Sequence, residues 1–190
     1  MFLVDDRIGS AEFLKALRLH GVPAELTRLE FGDFAFEGKG EHGRPIQIGV
    51  ERKTTTDLLG SLRSGRLQGH QLGGLLRAYD RAWVLVEGIW RTDDHGRLCR
   101  PVGSGRVVPI GAGFRPVKTI DLIKQLLTVC LRGGLHLWQT GTEHETVIFL
   151  SALYSFWTSK DLDEHQGHLA FHQTDMDKTM WAMMTGGGYP

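Results

Sequence analysis

The chain has 190 residues, with 22 Lys and Arg against 22 Asp and Glu, so its formal net charge is zero. That length buries roughly 70% of the unfolded surface, enough for a core without staples. Two cysteines without paired spacing, Cys99 and Cys130, exclude a disulfide scaffold and a zinc ribbon and point to a reducing compartment. The sequence shows no signal peptide, and the apolar run from Val147 to Trp157 is too short to span a bilayer. The expectation is therefore a cytoplasmic-type protein with no membrane partner.

Residues 2–6 read as a strand, and Ser10–His20 as an amphipathic helix with Ser10 as its N-cap. Glu25–Phe36 and Ile46–Arg52 read as paired strands joined by a polar loop at 37–44. Asp57–Tyr79 is expected to be mostly helical, with a break near Gly65. Trp83–Glu87 reads as a buried strand. Residues 91–118, rich in Gly, Pro and Arg, read as a loop carrying a hairpin, Arg97–Val102 against Arg106–Ile110. Thr119–Leu131 is a helix and Leu135–Gln139 a strand. Thr142-Glu143-His144-Glu145 is a capping box that opens a helix reaching about Ser159. The alternation of helices and strands predicts an α/β fold with a mixed sheet and helices on both faces.

The densest chemistry lies around Pro45–Lys53. Ile46, Ile48 and Val50 alternate onto one face, so Glu51 and Lys53 share the other. Upstream stands Gly32-Asp33, and downstream Asp57 opens a helix. An acid, then Glu-x-Lys, then a further acid is the inventory for holding a divalent metal against a phosphodiester. Hydrolysis of that bond requires an enzyme to remove on the order of 20 kcal/mol of barrier. Mg²⁺ takes oxygen ligands at ~2.0–2.1 Å, typically one or two carboxylates plus water and substrate phosphate. Asp33 and Glu51 are the expected carboxylates, Lys53 the point charge at the water or phosphate, and Asp57 an outer-shell group. Taken alone, an Asp…Glu-x-Lys pattern also fits an ordinary surface strand.

The flanking residues carry a resemblance. Phe2-Leu3-Val4-Asp5-Asp6-Arg7, Gly32-Asp33-Phe34, Val50-Glu51-Arg52-Lys53, Asp57-Leu58, Ser61-Leu62-Arg63-Ser64-Gly65-Arg66 and Trp83-Val84-Leu85-Val86-Glu87-Gly88 occur in that order. This set resembles the XPF-type structure-specific endonuclease domain, within the PD-(D/E)xK, restriction-endonuclease-like superfamily. The resemblance is close over residues 2–90 and holds in outline over 118–157. It implies a restriction-endonuclease-like fold, with a mixed central sheet flanked by helices on both faces, over residues 1–159. It further implies a Mg²⁺- or Mn²⁺-dependent DNA endonuclease for branched, flapped or forked duplexes. Asp33, Glu51, Lys53, Asp57, Asp5 and Arg52 would be catalytic, with Asp33, Glu51 and Asp5 on the metal. Relatives work as dimers, which implies a homodimer or a partner subunit.

Two departures stand out. The family's opening signature continues with Glu, where this chain has Ile8. The tandem helix-hairpin-helix module common among relatives has no evident counterpart. A non-catalytic DNA-binding or scaffolding relative, and a less selective nuclease or resolvase, are the rival readings.

Charge is unevenly distributed: residues 51–132 hold fourteen Lys and Arg against seven Asp and Glu. A basic central segment suits the phosphate backbone. Arg7, Arg63, Arg66, Arg97, Arg100 and Arg106 are the candidate DNA contacts. A solvated hairpin accounts equally well for the arginines after residue 91. Residues 160–190 read as a tail, with acids at 161–164, irregularly spaced His165, His168 and His172, and a short helix over 174–184. Its methionines and Trp181 suggest an apolar face for an oligomer or partner contact. The resemblance suits a cytoplasmic or nucleoid-associated enzyme, in a host cell if the source is viral.

Overall fold

The computed structural model describes residues 1–63, 72–110 and 116–165. A six-stranded mixed sheet in the order β2-β1-β3-β4-β5-β9 forms the centre. Its strands are β1 (Phe2–Asp5), β2 (Ala24–Thr27), β3 (Phe34–Lys39), β4 (Pro45–Thr54), β5 (Arg81–Glu87) and β9 (His136–Thr140). β1, β3 and β4 run antiparallel in turn, whereas β4, β5 and β9 run parallel. A separate antiparallel sheet is built from β6 (Arg91–Thr92), β7 (Leu98–Val102) and β8 (Arg106–Pro109). The helices are α1 (Phe13–Leu19), α2 (Thr55–Arg63), α3 (Leu72–Ala78), α4 (Thr119–Gly133) and α5 (Glu143–Ser159).

Strand alternation sorts the core into two layers. Phe2, Val4, Phe34, Phe36, Ile48, Val50 and Leu85 face α1 and α5, meeting Phe13, Leu17, Leu150, Leu153 and Trp157. Val84 and Val86 face the other way and pack with Leu58 of α2, Leu75 of α3 and Leu122 of α4. Two apolar faces on one sheet require helices on both sides, and these helices supply them. Among the described residues, no helix is long and apolar enough to cross a membrane.

Two sequence expectations need correction. Glu25–Phe36 is not one strand: β2 pairs parallel with β1 at the sheet edge, and β3 pairs with β4. The chain turns at Gly32, whose φ of +86° is open to glycine, and a Cβ there would come within 3.2 Å of the Val50 carbonyl oxygen. The apolar alternation changes phase at this turn, from Leu29 and Phe31 to Phe34 and Phe36. Ser10 does not cap a helix starting at 10; α1 begins at Phe13, and the Ser10 hydroxyl is engaged elsewhere. The Asp57–Tyr79 helix appears as α2 and α3, and the break expected near Gly65 lies outside the described residues. The expected hairpin is present as β7–β8, with β6 added. The expected helix cap is present too: Thr142 Oγ1 accepts the Glu145 N–H at 3.2 Å, while the Glu145 carboxylate takes the Gly141 N–H at 2.6 Å in place of the Thr142 N–H of a full capping box. Past α5, residues 161–165 stay on the body, with the Leu162 N–H donating to the Gly40 carbonyl at 3.1 Å. The rest of the tail, with His168, His172 and the helix expected over 174–184, lies outside the described residues.

Candidate active site

Asp33 stands between two strands. Its N–H donates to the Val50 carbonyl at 2.8 Å, and its own carbonyl accepts from the Asp5 N–H at 2.9 Å. Its carboxylate is fixed from both sides. Oδ1 accepts the Ser10 hydroxyl at 2.7 Å and Oδ2 accepts the Arg52 backbone N–H at 2.7 Å. Glu51 and Lys53 lie on one face of β4, as their spacing predicts, with Lys53 Nζ 2.5 Å from Glu51 Oε1. Asp5, Arg7, Asp33, Glu51 and Lys53 line one cleft of about 440 Å³, whose walls are mostly polar.

Tight packing behind the cleft sets its shape. Gly49, on the same face of β4 as Glu51, lies under the Tyr79 ring, where a Cβ would come within 2.1 Å of a ring carbon. The Tyr79 hydroxyl donates to the Phe31 carbonyl at 2.8 Å and so holds the turn that delivers Asp33. Neither Tyr79 nor Ser10 carries a sequence signal of its own. Both act through residues distant in the chain, and a lone Tyr or Ser near a helix has many ordinary readings.

Electrostatics divide the carboxylates. Burial pushes the Glu51 pKa above its usual value, the nearby Asp33 charge adds to this, and Lys53 offsets only part. Asp5 is 1% exposed, and burial would raise its pKa too. Hydrogen bonds from Arg7 and the Leu29 N–H, with the Arg7 charge, outweigh burial and bring it below the usual value. Arg7 Nε lies 2.5 Å from Asp5 Oδ2, and Leu29 N–H donates to Oδ1 at 3.0 Å. Asp5 therefore lines the cleft while anchoring Arg7 and the 28–33 loop.

Two further sequence candidates point elsewhere. The Arg52 side chain leaves the opposite face of β4, lies 4.8 Å from the centre of the Phe13 ring, and pairs with both oxygens of Glu87. It serves the cleft through its backbone N–H. Asp57 accepts the Thr54 hydroxyl at 2.6 Å and returns its N–H to Thr54 Oγ1 at 3.2 Å, capping α2. Of the candidate DNA contacts, Arg7 lines the cleft and is half exposed. Arg97, beside β7, and Arg100 and Arg106, on β7 and β8, belong to the region of the small sheet. Arg66 and the Arg63 side chain lie outside the described residues. Ile8, where a Glu was expected, lines the cleft mouth and is 97% exposed.

A divalent cation fits this donor set. Among the described residues, no three His, Cys, Asp or Glu side chains converge to chelate a metal by themselves. Two carboxylates, Asp33 and Glu51, converge without sulfur or imidazole, and one is held under like-charge stress. That is the set Mg²⁺ accepts, with water and phosphate completing its shell.

A mixed sheet with helices on both faces, and an Asp, Glu-x-Lys cleft beside the parallel strand β4, define a nuclease-type α/β domain. A family model described as the ERCC4 domain matches residues 4–153, and the chain belongs to that family. It is 29% identical over 129 residues to the DNA repair endonuclease XPF of Mus musculus, covering 68% of this chain and 12% of that protein. The solved structure of XPF from Aeropyrum pernix aligns with a TM-score of 0.57 and 24% identity, over 80% of this chain and 58% of that one. A second, of XPF from Aeropyrum pernix in complex with DNA, aligns with a TM-score of 0.57 and 20% identity, over 100% and 74%. The fold is thus that of the XPF nuclease domain. The chain spans a small part of the curated relative.

Proposed function

We propose that this domain is a Mg²⁺- or Mn²⁺-dependent endonuclease that hydrolyses phosphodiester bonds at branched, flapped or forked DNA. The observation that carries the reading is the meeting of Asp33 with Glu51 and Lys53, eighteen and twenty residues further along the chain, in one polar cleft. Membership of a family that includes a DNA repair endonuclease, and a neighbour solved with DNA, support it.

Asp33 and Glu51 would hold the cation. When bound, it would polarise the scissile phosphate and lower the pKa of an attacking water. Lys53 presents its ammonium to the developing phosphate charge. Ser10 and the Arg52 N–H fix the Asp33 carboxylate, so it need not reorganise as the charge develops. Arg7, clamped by Asp5, presents a guanidinium along the cleft wall to a backbone phosphate. The reading extends to a cytoplasmic or nucleoid-associated setting and to work as a homodimer or with a partner subunit.

Labelled fork, flap, Holliday-junction and linear DNA with Mg²⁺ or Mn²⁺ provide the test. Wild type should cut branched substrates first, and Asp33→Asn and Lys53→Ala should each lose at least about 10²-fold in rate. Equal cutting of linear duplex would favour the less selective nuclease. DNA binding without cutting on any substrate would favour the non-catalytic relative.

A further inference from the structure

A second cavity, of about 740 Å³, opens between the small sheet and the start of α4. His95, Arg97, Lys118 and Lys124 line it, with Asp121 as its acidic member. The backbone fixes this cluster. Arg97 and Lys118 face each other across an antiparallel bridge, and the Thr119 N–H donates to the Gly96 carbonyl at 3.0 Å. Like charges directly opposite on paired strands repel. Asp93, through Oδ2 at 2.6 Å from Arg97 Nε, offsets Arg97 but does not line the cavity.

Lys118 is also the N-cap residue of α4 and supplies no side-chain cap bond. The positive end of a helix disfavours a cation there and favours an anion. Asp121 in the first turn meets part of that demand. The surrounding lysines and arginine exceed it. With Arg97 paired to Asp93, Lys118 and Lys124 against Asp121 leave a positive balance that suits a negative partner.

Topology sets the cavity relative to the cleft. β4 and β5 are parallel, and Glu51 and Lys53 lie near the C-terminal end of β4. The chain leaves the same end of β5 into the small sheet and comes back as α4, which leads to the start of parallel β9. The beginning of α4 therefore lies at the same end of the sheet as Glu51 and Lys53. Contact between Gly88 and Thr55, where a Cβ would meet the Thr55 hydroxyl at 2.7 Å, closes the space between the two ends.

We infer that the Arg97–Lys118–Lys124 cavity binds a backbone phosphate of the duplex arm leading away from the cut. This rests on the endonuclease reading and adds a site that holds DNA without touching the scissile bond. Arg97 is among the arginines expected from sequence to touch DNA; Arg100 and Arg106 lie on β7 and β8 of the adjoining small sheet. Lys118 and Lys124 join Arg97 in supplying its charge, and neither lysine is among the DNA contacts expected from the sequence.

The test is fork-DNA affinity against salt, by fluorescence anisotropy in an Asp33→Asn background that leaves DNA intact. Lys118→Ala with Lys124→Ala should weaken binding about 10-fold and reduce the slope of log affinity against log salt by about 1 to 2. The Lys118→Arg, Lys124→Arg pair should restore both. A fork with its duplex arms cut to a few base pairs should lose the difference. Unchanged affinity and slope in the alanine pair would overturn the site. Because binding is read apart from cutting, a wild type that cuts nothing would sink the nuclease reading and leave this result standing.

Discussion

Glu51 and Lys53 lie on the cleft face of β4, whereas Arg52 between them points to α1 and α5, and each face carries an ion pair at 2.5 Å. All four side chains are similarly buried. Their carboxylates nevertheless respond in opposite ways. Burial and the Asp33 charge hold the Glu51 pKa up against Lys53. For Glu87, burial is outweighed by hydrogen bonds from Arg52 and Thr146 and by the Arg52 charge, and its pKa falls below the usual 4.5. Burial raises both carboxylates, and Glu87 differs in having partners that outweigh it. Glu87 has a bidentate guanidinium and the Thr146 hydroxyl at 2.7 Å, so its charge is fully met. Glu51 shares its space with a second carboxylate and one ammonium. A cleft whose carboxylates crowd each other would suit the proposed cation, and the face that meets its charge internally holds the sheet to α5.

This contrast can be broken at either face. Arg52→Ala would leave Glu87 buried without its partner, and should cost about 3 kcal/mol in urea unfolding. A cost under about 1 kcal/mol would show that the Arg52 pair is not structural. Glu87→Gln sharpens the comparison through pH. The folded pKa of Glu87 is depressed, so its contribution is complete above 4.5 and fades as pH falls through the folded value. The stability gap between wild type and Glu87→Gln should thus be largest near neutrality and close below 4.5. Glu51 has the opposite sign: its raised pKa means that ionising it costs stability as pH rises above 4.5. A gap for Glu87→Gln that widened in acid would reverse the assignment. The smallest effect is at the edge of the cleft. Thr54→Ala removes the α2 cap shared with Asp57 and should cost about 1 kcal/mol by thermal unfolding.

Much of the cleft was legible because β4 obeys a period of two. The alternation of Ile46, Ile48 and Val50 put Glu51 and Lys53 together, and the structure keeps them so; Arg52, expected among the catalytic residues, turns its side chain to the other face. What escaped the sequence reading depends on partners brought from elsewhere. Ser10 looks like a helix cap because Ser before an amphipathic run normally is one; its hydroxyl goes instead to Asp33, 23 residues away. The 25–36 segment is rich in apolar residues throughout, and the phase shift from Leu29 and Phe31 to Phe34 and Phe36 is the mark of the turn at Gly32. Glu87 looks like the polar end of a buried strand. Only the parallel register, with Arg52 opposite Leu85, brings it within reach of the guanidinium. The caps are the reverse case: Thr142 and Glu145 meet within one turn, so local spacing suffices.

The most direct measurement is the single-turnover rate of fork-DNA cleavage in Mg²⁺ for Glu51→Gln and Glu87→Gln, each checked to be folded. Loss of at least about 10²-fold in Glu51→Gln, with near wild-type cutting by Glu87→Gln, is the predicted result. Cutting by Glu51→Gln at the wild-type rate would contradict the cleft as the catalytic centre.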